Sequence, residues 1–395
     1  MDHLQRERAQ HEQAGRGDAA RVEWSEGGEA RSAAWRSESG APAPRRVQVA
    51  DDAMTADTAF RLASEGTALL WRGDYHNARQ LLQALARRID ERRAGRKPRK
   101  GPPPAMPEAF HLHRQAQAQR ARTLGMLLLP FDGDYAIPLR RAPAVSEACS
   151  EAWGPAPGAP FVASLRELLG VIGAHEWRRK GVEIAALGAR IHPHYGVFSP
   201  VRGEYLELVQ RAPLPATTLA FDIGAGTGVI GALLARRGVA RVVATEQDGR
   251  ALACAADNLA RLGLAGRVEL LQADLFPPGK APLVVCNPPW LPARPSAPIE
   301  RAVYDPDSRM LRGFLAGLGA HLEAGGEGWL ILSDLAELLG LRTREDLLAL
   351  IEAGGLKVLE RLDIRPQHPK AGAADDPLHA ARAAETTSLW RLALA

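Results

Sequence analysis

The sequence predicts an α/β protein: a Rossmann-like domain preceded by a mainly helical accessory region. After Ile191, compact apolar runs such as LAFDIG, ARVVATE and APLVVCNPP alternate with amphipathic stretches. Such alternation is typical of a parallel sheet wrapped by helices. A glycine-rich turn, FDIGAGTG, joins the first apolar run to a helix. Before Ile191 the periodic stretches are helical, so we expect the sheet domain over residues 191–395.

The N-terminal half predicts a tail and a helical region. Residues 1–52 are rich in Arg, Glu, Ala, Gly and Ser, and we expect them to be disordered. Residues 53–190 are expected to form a helical substrate-recognition region. Ala78, Leu82 and Leu85 share one helix face, with Asp74 as the N-cap. Further helices are predicted over 110–129 and 162–172.

A basic, proline-rich linker lies around residues 92–107. Residues 87–100 contain eight Lys and Arg against Asp90 and Glu91, and GPPP follows. Clustered basic side chains bind phosphates by releasing counterions. Because interleaved aromatic residues for base stacking are missing, a solvated linker is an equally good interpretation.

Composition favours a cytoplasmic protein with an ordinary core. The 50 Lys and Arg exceed the 46 Asp and Glu by only four, which tolerates an anionic partner without requiring one. The three cysteines lie far apart in the sequence, so a disulfide framework is not expected. No apolar run reaches the roughly 18 residues of a membrane helix, and MDHLQRERAQ does not resemble a signal peptide.

The glycine turn predicts a nucleotide-type cofactor. Gly224, Gly226 and Gly228 allow close backbone approach at a helix start, and Asp222 ends the preceding strand. Gly226, Gly228 and Gly231 also match the GxGxxG pattern of NAD enzymes. Glu246 ends the next strand, where a carboxylate can accept both hydroxyls of a ribose in either cofactor class.

The order of these residues resembles the class I S-adenosylmethionine-dependent methyltransferases. The resemblance implies a seven-stranded sheet and S-adenosyl-L-methionine as the cofactor. It also implies that the glycine turn and the acids at successive strand ends surround that cofactor. The residues that carry it are Asp222, Gly224, Gly226, Gly228, Glu246 and Asp274. Asp274 would accept from the adenine amino group.

The tetrapeptide NPPW predicts the chemistry of transfer. Asn287, Pro288, Pro289 and Trp290 follow a buried apolar run. The prolines fix the backbone and leave carbonyls outward. The Asn287 oxygen and a Pro288 carbonyl would hold one NH2 group and stabilise developing positive charge, while Trp290 stacks on a planar substrate. The segment resembles the (N/D)PP(Y/F/W) motif of N-methyltransferases.

Flanking segments resemble two groups of this family. The residues after NPPW resemble the HemK-like, release-factor-glutamine methyltransferases. Upstream, GVFS resembles the small-domain rRNA guanine methyltransferases, while the PETE sequence of the HemK-like group is absent. By resemblance, Phe198, Pro200, Arg202 and Asn287 would also contact the cofactor.

The function expected is N-methylation of a planar amide or exocyclic amine, first of a protein glutamine side chain. The alternative is an rRNA or tRNA base; a non-catalytic cofactor-binding scaffold and a NAD-dependent oxidoreductase are less favoured. The partner would be a translation factor, a ribosomal protein or RNA. No metal is expected, because His192 and His194 lack an evident third ligand. A long segment over 366–385, with His379 and Arg382, would contact an anionic substrate or form a solvated lid.

Overall fold

The computed structural model describes residues 20–95, 104–200, 203–295, 298–366 and 377–395. These residues fall into two compact units. The first contains residues up to 95 together with 117–172, and the second contains 104–116 together with the described residues from 173 onward. The predicted division at 190/191 therefore lies 18 residues later than the division at 172/173.

The helices and strands up to residue 191 are, in chain order, β1 (Arg21–Glu26), β2 (Glu29–Arg36), β3 (Arg46–Ala50), α1 (Ala56–Ser64), β4 (Thr67–Trp71), α2 (Tyr75–Ala94), α3 (Met106–Leu124), β5 (Leu127–Phe131), α4 (Ser146–Trp153), β6 (Phe161–Ser164), α5 (Leu165–Lys180), β7 (Val182–Ile184) and β8 (Ala189–Ile191).

The helices and strands that follow are α6 (Glu204–Arg211), β9 (Leu219–Ile223), α7 (Val229–Arg236), β10 (Arg241–Glu246), α8 (Gly249–Arg261), β11 (Val268–Gln272), β12 (Ala281–Cys286), α9 (Arg309–His321), β13 (Leu322–Ser333), α10 (Leu335–Leu338), α11 (Arg344–Ala353), β14 (Leu356–Ile364), α12 (His379–Ala384) and β15 (Thr387–Leu394).

The first unit contains a six-stranded sheet in the order β1-β2-β6-β5-β4-β3. Strands β3, β4 and β5 are parallel, and β6 runs antiparallel to β5. Helix α2 begins as predicted, because the Asp74 side chain accepts the backbone N–H of His76 at 2.9 Å. The prediction of a mainly helical region thus identified helices but omitted the sheet.

The expected disordered tail over 1–52 is wrong for residues 20–52, which contain β1, β2 and β3; residues 1–19 lie outside the described part. Gly27 and Gly28 have positive φ and join β1 to β2 as an antiparallel hairpin. Val22 is fully buried. The few apolar residues here occupy one face of a strand, so low average hydrophobicity concealed a half-buried hairpin.

Two predicted helices also contain strands. The stretch predicted as a helix over 110–129 ends its helix at Leu124 and continues as β5, and the stretch over 162–172 begins inside β6. Both strands are buried along their whole length. A short run that is apolar on both faces has no period that separates a strand from a helix.

The second unit contains the predicted seven-stranded sheet, in the order β11-β10-β9-β12-β13-β15-β14. The pairs of β9 with β10, β10 with β11, β9 with β12 and β12 with β13 are parallel. At the other end of the sheet, β15 pairs antiparallel with both β13 and β14. Apolar clusters cover both faces of the sheet, as helices on both faces require.

This topology brings the predicted site residues to one edge. The glycine turn follows β9, Glu246 ends β10, Asp274 follows β11 and Asn287 follows β12. Because these strands are parallel, their carboxyl ends meet at the same edge, where open α/β sheets bind ligands. In the described part of the chain, no helix is long and apolar enough to cross a membrane.

Candidate active site at the carboxyl edge of the sheet

The glycine turn is shaped by three left-handed residues. Gly224, Gly226 and Gly228 have φ values of 81°, 53° and 80°, which favour glycine. The N–H groups of Gly224 and Ala225 both donate to the Thr245 carbonyl, at 2.9 and 2.8 Å. A Cβ built on Gly226 would meet no atom within 4 Å. The turn is therefore tied to β10 and open on the side of Gly226.

Glu246 is locked against this turn. Its Oε2 accepts the N–H of Gly226 at 2.9 Å, and its Oε1 accepts the N–H of Asp248 at 3.0 Å. Each carboxylate oxygen retains a lone pair, since an ionised carboxylate has about four acceptor sites. The two backbone N–H groups thus fix the orientation of the Glu246 carboxylate and leave an acceptor site on each oxygen.

Asp222 is fully buried beneath the turn. Its Oδ2 accepts the N–H of Gly231 at 2.8 Å, whereas its Oδ1 has no hydrogen-bond partner among the described residues. Burial raises the pKa of Asp222 to about 7, and the nearby charge of Glu246 adds to the increase. An orphan buried acceptor beside an open glycine turn fits a site that receives a polar ligand.

Asp274 forms an ion pair at the exit of β11. It is exposed, and its Oδ2 pairs with Nη2 of Arg309 at 2.5 Å, at the start of α9. The next residue, Leu275, has a positive φ of 70°, and its carbonyl accepts from the Thr245 hydroxyl. Asp274, which was predicted to bind an adenine amino group, therefore lies at the expected strand exit and forms an ion pair with Arg309.

The NPPW side chains form a hydrogen-bonded unit. Nε1 of Trp290 donates to Oδ1 of Asn287 at 2.9 Å. The Asn287 side chain also bonds the hydroxyl of Tyr205, a buried residue of α6. Trp290 is half-buried and packs against the cluster that contains Cys286. Burial raises the pKa of Tyr205, so its hydroxyl stays protonated at neutral pH.

Tyr205 was not identified from the sequence. It follows Glu204 in an amphipathic stretch, where its position predicts only a core residue. Its contact with Asn287 joins residues 82 positions apart, and no local pattern carries that information.

Strand register sets Asn287 beside the glycine turn. Cys286 of β12 is paired with Ile223 of β9. Asn287 and Gly224 are the residues that follow this pair on the two strands, so both emerge side by side. The predicted acceptor motif and the predicted cofactor turn are therefore neighbours.

The segment before α6 is anchored on α8. The N–H of His192 donates to Oδ1 of Asn258 at 2.7 Å, while Nδ2 of Asn258 donates to the carbonyl of Thr227 in the glycine turn at 3.0 Å. Val197 packs on Ala251 in the first turn of α8. One asparagine thus holds both this segment and the turn.

Phe198 and Pro200 follow that anchor. Phe198 is 37% exposed and Pro200 is buried, while the buried Oγ of Ser199 has no partner among the described residues. Arg202 lies outside the described residues. The structure therefore places Phe198 and Pro200 on the segment that packs against α8. Helix α8 begins after Glu246.

The HxH pair has structural contacts. His192 Nδ1 lies 2.6 Å from the Arg178 carbonyl, and His194 Nε2 lies 3.3 Å from Asp257. Across the described ranges, no three His, Cys, Asp or Glu side chains gather in a way that could hold a metal ion. Of the residues in the long C-terminal segment, His379 and Arg382 lie on α12, and residues 367–376 are outside the described part.

The fold and this edge define a class of protein. The strand order, the glycine turn bonded to Glu246 and the adjacent NPPW exit are the features expected of a class I S-adenosylmethionine-dependent methyltransferase domain. Residues 189–336 match the family model described as methyltransferase small domain.

Several named relatives match part of the chain. A release factor glutamine methyltransferase of Cereibacter sphaeroides is 34% identical over 42% of this chain and 63% of its own length. A tRNA1(Val) (adenine(37)-N6)-methyltransferase of Shewanella putrefaciens is 28% identical over 39% of this chain and 66% of its own. A ribosomal RNA small subunit methyltransferase C of Alcanivorax borkumensis is 31% identical over 38% and 44%. The chain thus spans less than two thirds of each of these relatives.

A solved methyltransferase of Pyrococcus furiosus aligns with 57% of this chain and 98% of its own, at 18% identity and a TM-score of 0.38.

Proposed function

We propose that the chain is an N-methyltransferase that modifies a planar nitrogen, first a glutamine side-chain amide of a protein. The observation that carries the proposal is the position of Asn287. It follows the strand pair Cys286–Ile223 beside the glycine turn, with its amide held by Trp290 and Tyr205. Similarity to a release factor glutamine methyltransferase supports this choice of acceptor.

The cofactor-binding residues proposed are those at the sheet edge. When bound, S-adenosylmethionine supplies an electrophilic methyl group on a sulfonium sulfur. Glu246 would accept its ribose hydroxyls, because both carboxylate oxygens are already oriented by backbone N–H groups. The glycine turn, above Asp222, would lie against the polar end of S-adenosylmethionine. Phe198, Pro200 and Arg202 would cover it, and Asp274 would contact the adenine amino group.

Asn287 would orient the acceptor nitrogen. Its Oδ1 already accepts one hydrogen bond from Trp290, so one lone pair remains for an N–H of the substrate. The rigid Pro288-Pro289 backbone would present a second acceptor, the Pro288 carbonyl. Two fixed acceptors stabilise positive charge that develops on the nitrogen without reorganisation. The exposed part of the Trp290 ring would stack on a planar amide or base.

The catalytic part of this proposal can be tested with Asn287→Ala. We expect loss of methyl transfer, with binding of S-adenosylhomocysteine by calorimetry close to wild type. Undiminished turnover in this variant would contradict the role of Asn287. Titration with NAD tests the oxidoreductase alternative, which requires that the chain bind NAD. A chain that binds S-adenosylhomocysteine but labels no macromolecule would support the scaffold alternative.

The second candidate substrate is an rRNA or tRNA base. It is favoured by the similarity to a tRNA adenine-N6 methyltransferase and to a ribosomal RNA methyltransferase. To decide between them, a cell lysate is incubated with methyl-labelled S-adenosylmethionine and then treated with protease or with RNase. Label that becomes soluble only after protease supports a protein acceptor, and label released only by RNase supports RNA.

A further inference from the structure

The loop after NPPW is clamped at Leu291, the residue next to Trp290. Its N–H donates to the Val303 carbonyl at 3.0 Å, and its carbonyl accepts the N–H of Asp305 at 2.8 Å. Leu291 also forms a parallel β-bridge with Tyr304. Both backbone groups of Leu291 are thus held by the short segment 303–305, so the position of this segment sets the exit direction of Trp290.

The Asp305 side chain caps the first turn of helix α9. The residue is 5% exposed. Its Oδ2 accepts the N–H groups of Met310 at 2.9 Å and Leu311 at 3.2 Å. The helix needs this distant cap, because Asp307 and Ser308 have φ values of 57° and 53° and Ser308 makes no capping bond. Without Asp305, the N–H groups of Met310 and Leu311 would lose this acceptor in a partly buried place.

The first residues of α9 reach the cofactor side of the edge. A Cβ built on Gly224 would lie 2.7 Å from Cε of Met310, so the methionine methyl group fills that space. Arg309 pairs with Asp274 at the exit of β11. Met310 and Trp290 pack against the same apolar cluster. One end of α9 therefore contacts residues from two predicted cofactor-binding positions.

We propose that Asp305 is a positioning residue that sets Trp290 and Asn287 in register with the cofactor site. Its backbone holds the acceptor loop through Leu291, and its carboxylate holds Met310 against Gly224. This inference rests on the proposed function, because it assigns the two sides to an acceptor and a cofactor. A misplacement of about 1 Å can reduce transfer by about a hundredfold, so a group that fixes this spacing affects turnover more than binding.

The test compares Asp305→Ala and Asp305→Asn with Thr343→Ala. Thr343 caps α11 in the same unit by a capping box with Asp346, so its loss removes a helix cap without touching the loop. In each protein, labelling of a fixed amount of lysate is measured against the concentration of S-adenosylmethionine. We expect Asp305→Ala to lower the maximal rate at least tenfold and to change the apparent KM for S-adenosylmethionine less than threefold. Asp305→Asn, which keeps one acceptor oxygen, should recover part of the rate.

A second measurement does not depend on activity. Amide hydrogen exchange of the cofactor-free proteins is followed by mass spectrometry. In Asp305→Ala, peptides that contain Leu291 and Met310 should exchange faster, whereas Thr343→Ala should leave both peptides unchanged. If Asp305→Ala retains the wild-type rate, or if Thr343→Ala loses as much, the positioning role is wrong. If Asp305→Ala does not fold, Asp305→Asn alone decides. A reduced rate together with faster exchange at Leu291 would support the positioning role, and the absence of either change would contradict it.

The two proposals fail in different ways. A wild-type chain that neither binds S-adenosylhomocysteine nor transfers label would overturn the proposed function. A wild-type chain that does both, with Asp305 variants that match the Thr343 control, would overturn only this inference.

Discussion

Nε1 of Trp290 donates a 2.9 Å hydrogen bond to Oδ1 of Asn287. The indole of Trp290 therefore fixes the orientation of the Asn287 side-chain amide, in addition to the stacking role proposed for its ring. A phenylalanine at this position would retain a ring but lose the donor.

Trp290→Phe tests this alignment. We expect turnover to fall about tenfold, the effect of about 1.4 kcal/mol in the barrier, because Asn287 loses one of its two restraints. Affinity for S-adenosylhomocysteine, measured by calorimetry, should stay within twofold of wild type. Trp290→Ala should be markedly less active, since it also removes the ring. Equal activity of the Phe variant and the wild type would show that the hydrogen bond has no catalytic consequence.

Tyr205→Phe removes the other restraint on Asn287. The hydroxyl of Tyr205 bonds the Asn287 side chain from α6, and the ring is buried. We expect the variant to fold, because the ring that fills the core is retained. Turnover should fall severalfold while the apparent KM for S-adenosylmethionine changes little. A rate loss that comes entirely from a raised KM would instead assign Tyr205 to cofactor binding.

Glu246→Gln tests the cofactor side. Both carboxylate oxygens accept backbone N–H groups, so an amide nitrogen at either place meets a donor instead of an acceptor. We expect affinity for S-adenosylhomocysteine to fall at least tenfold. Glu269→Gln is the matched control, because this exposed glutamate of β11 pairs only with Arg241 among the interactions described. Equal losses in the two variants would contradict the assignment.

Asp222 makes stability depend on pH. Burial raises its pKa in the folded protein to about 7, above the ordinary value of 3.8. The folded state therefore binds the proton more tightly, and this stabilisation is complete below the unfolded-state pKa and is lost as pH rises through 7. Between pH 5 and pH 8, the free energy of unfolding should fall less in Asp222→Asn than in the wild type, and the difference should be about 3 kcal/mol.

Urea denaturation of cofactor-free protein at the two pH values checks this expectation. Wild type and Asp222→Asn should differ mainly at pH 8, where the buried carboxylate of the wild type is charged. Parallel pH profiles for the two proteins would mean that Asp222 titrates near its ordinary pKa.

The amino-acid sequence by itself determined the second unit. Its strands, the glycine turn, Glu246 and NPPW are local patterns, and their order along the chain predicted the sheet edge at which they meet. This succeeded because parallel strands bring their carboxyl ends together whatever the intervening helices contain. The N-terminal sheet was missed for the opposite reason: its strands are short, and pairings such as that of β2 with β6 cross more than a hundred residues.

Only the tertiary structure decided which side chains hold the motif residues. Tyr205 bonds Asn287, and Arg309 forms an ion pair with Asp274. Asp305 is hydrogen-bonded to both Leu291 and Met310. These contacts depend on how α6 and α9 pack against the sheet, and packing depends on shape across the whole core. Spacing in the sequence does not encode it.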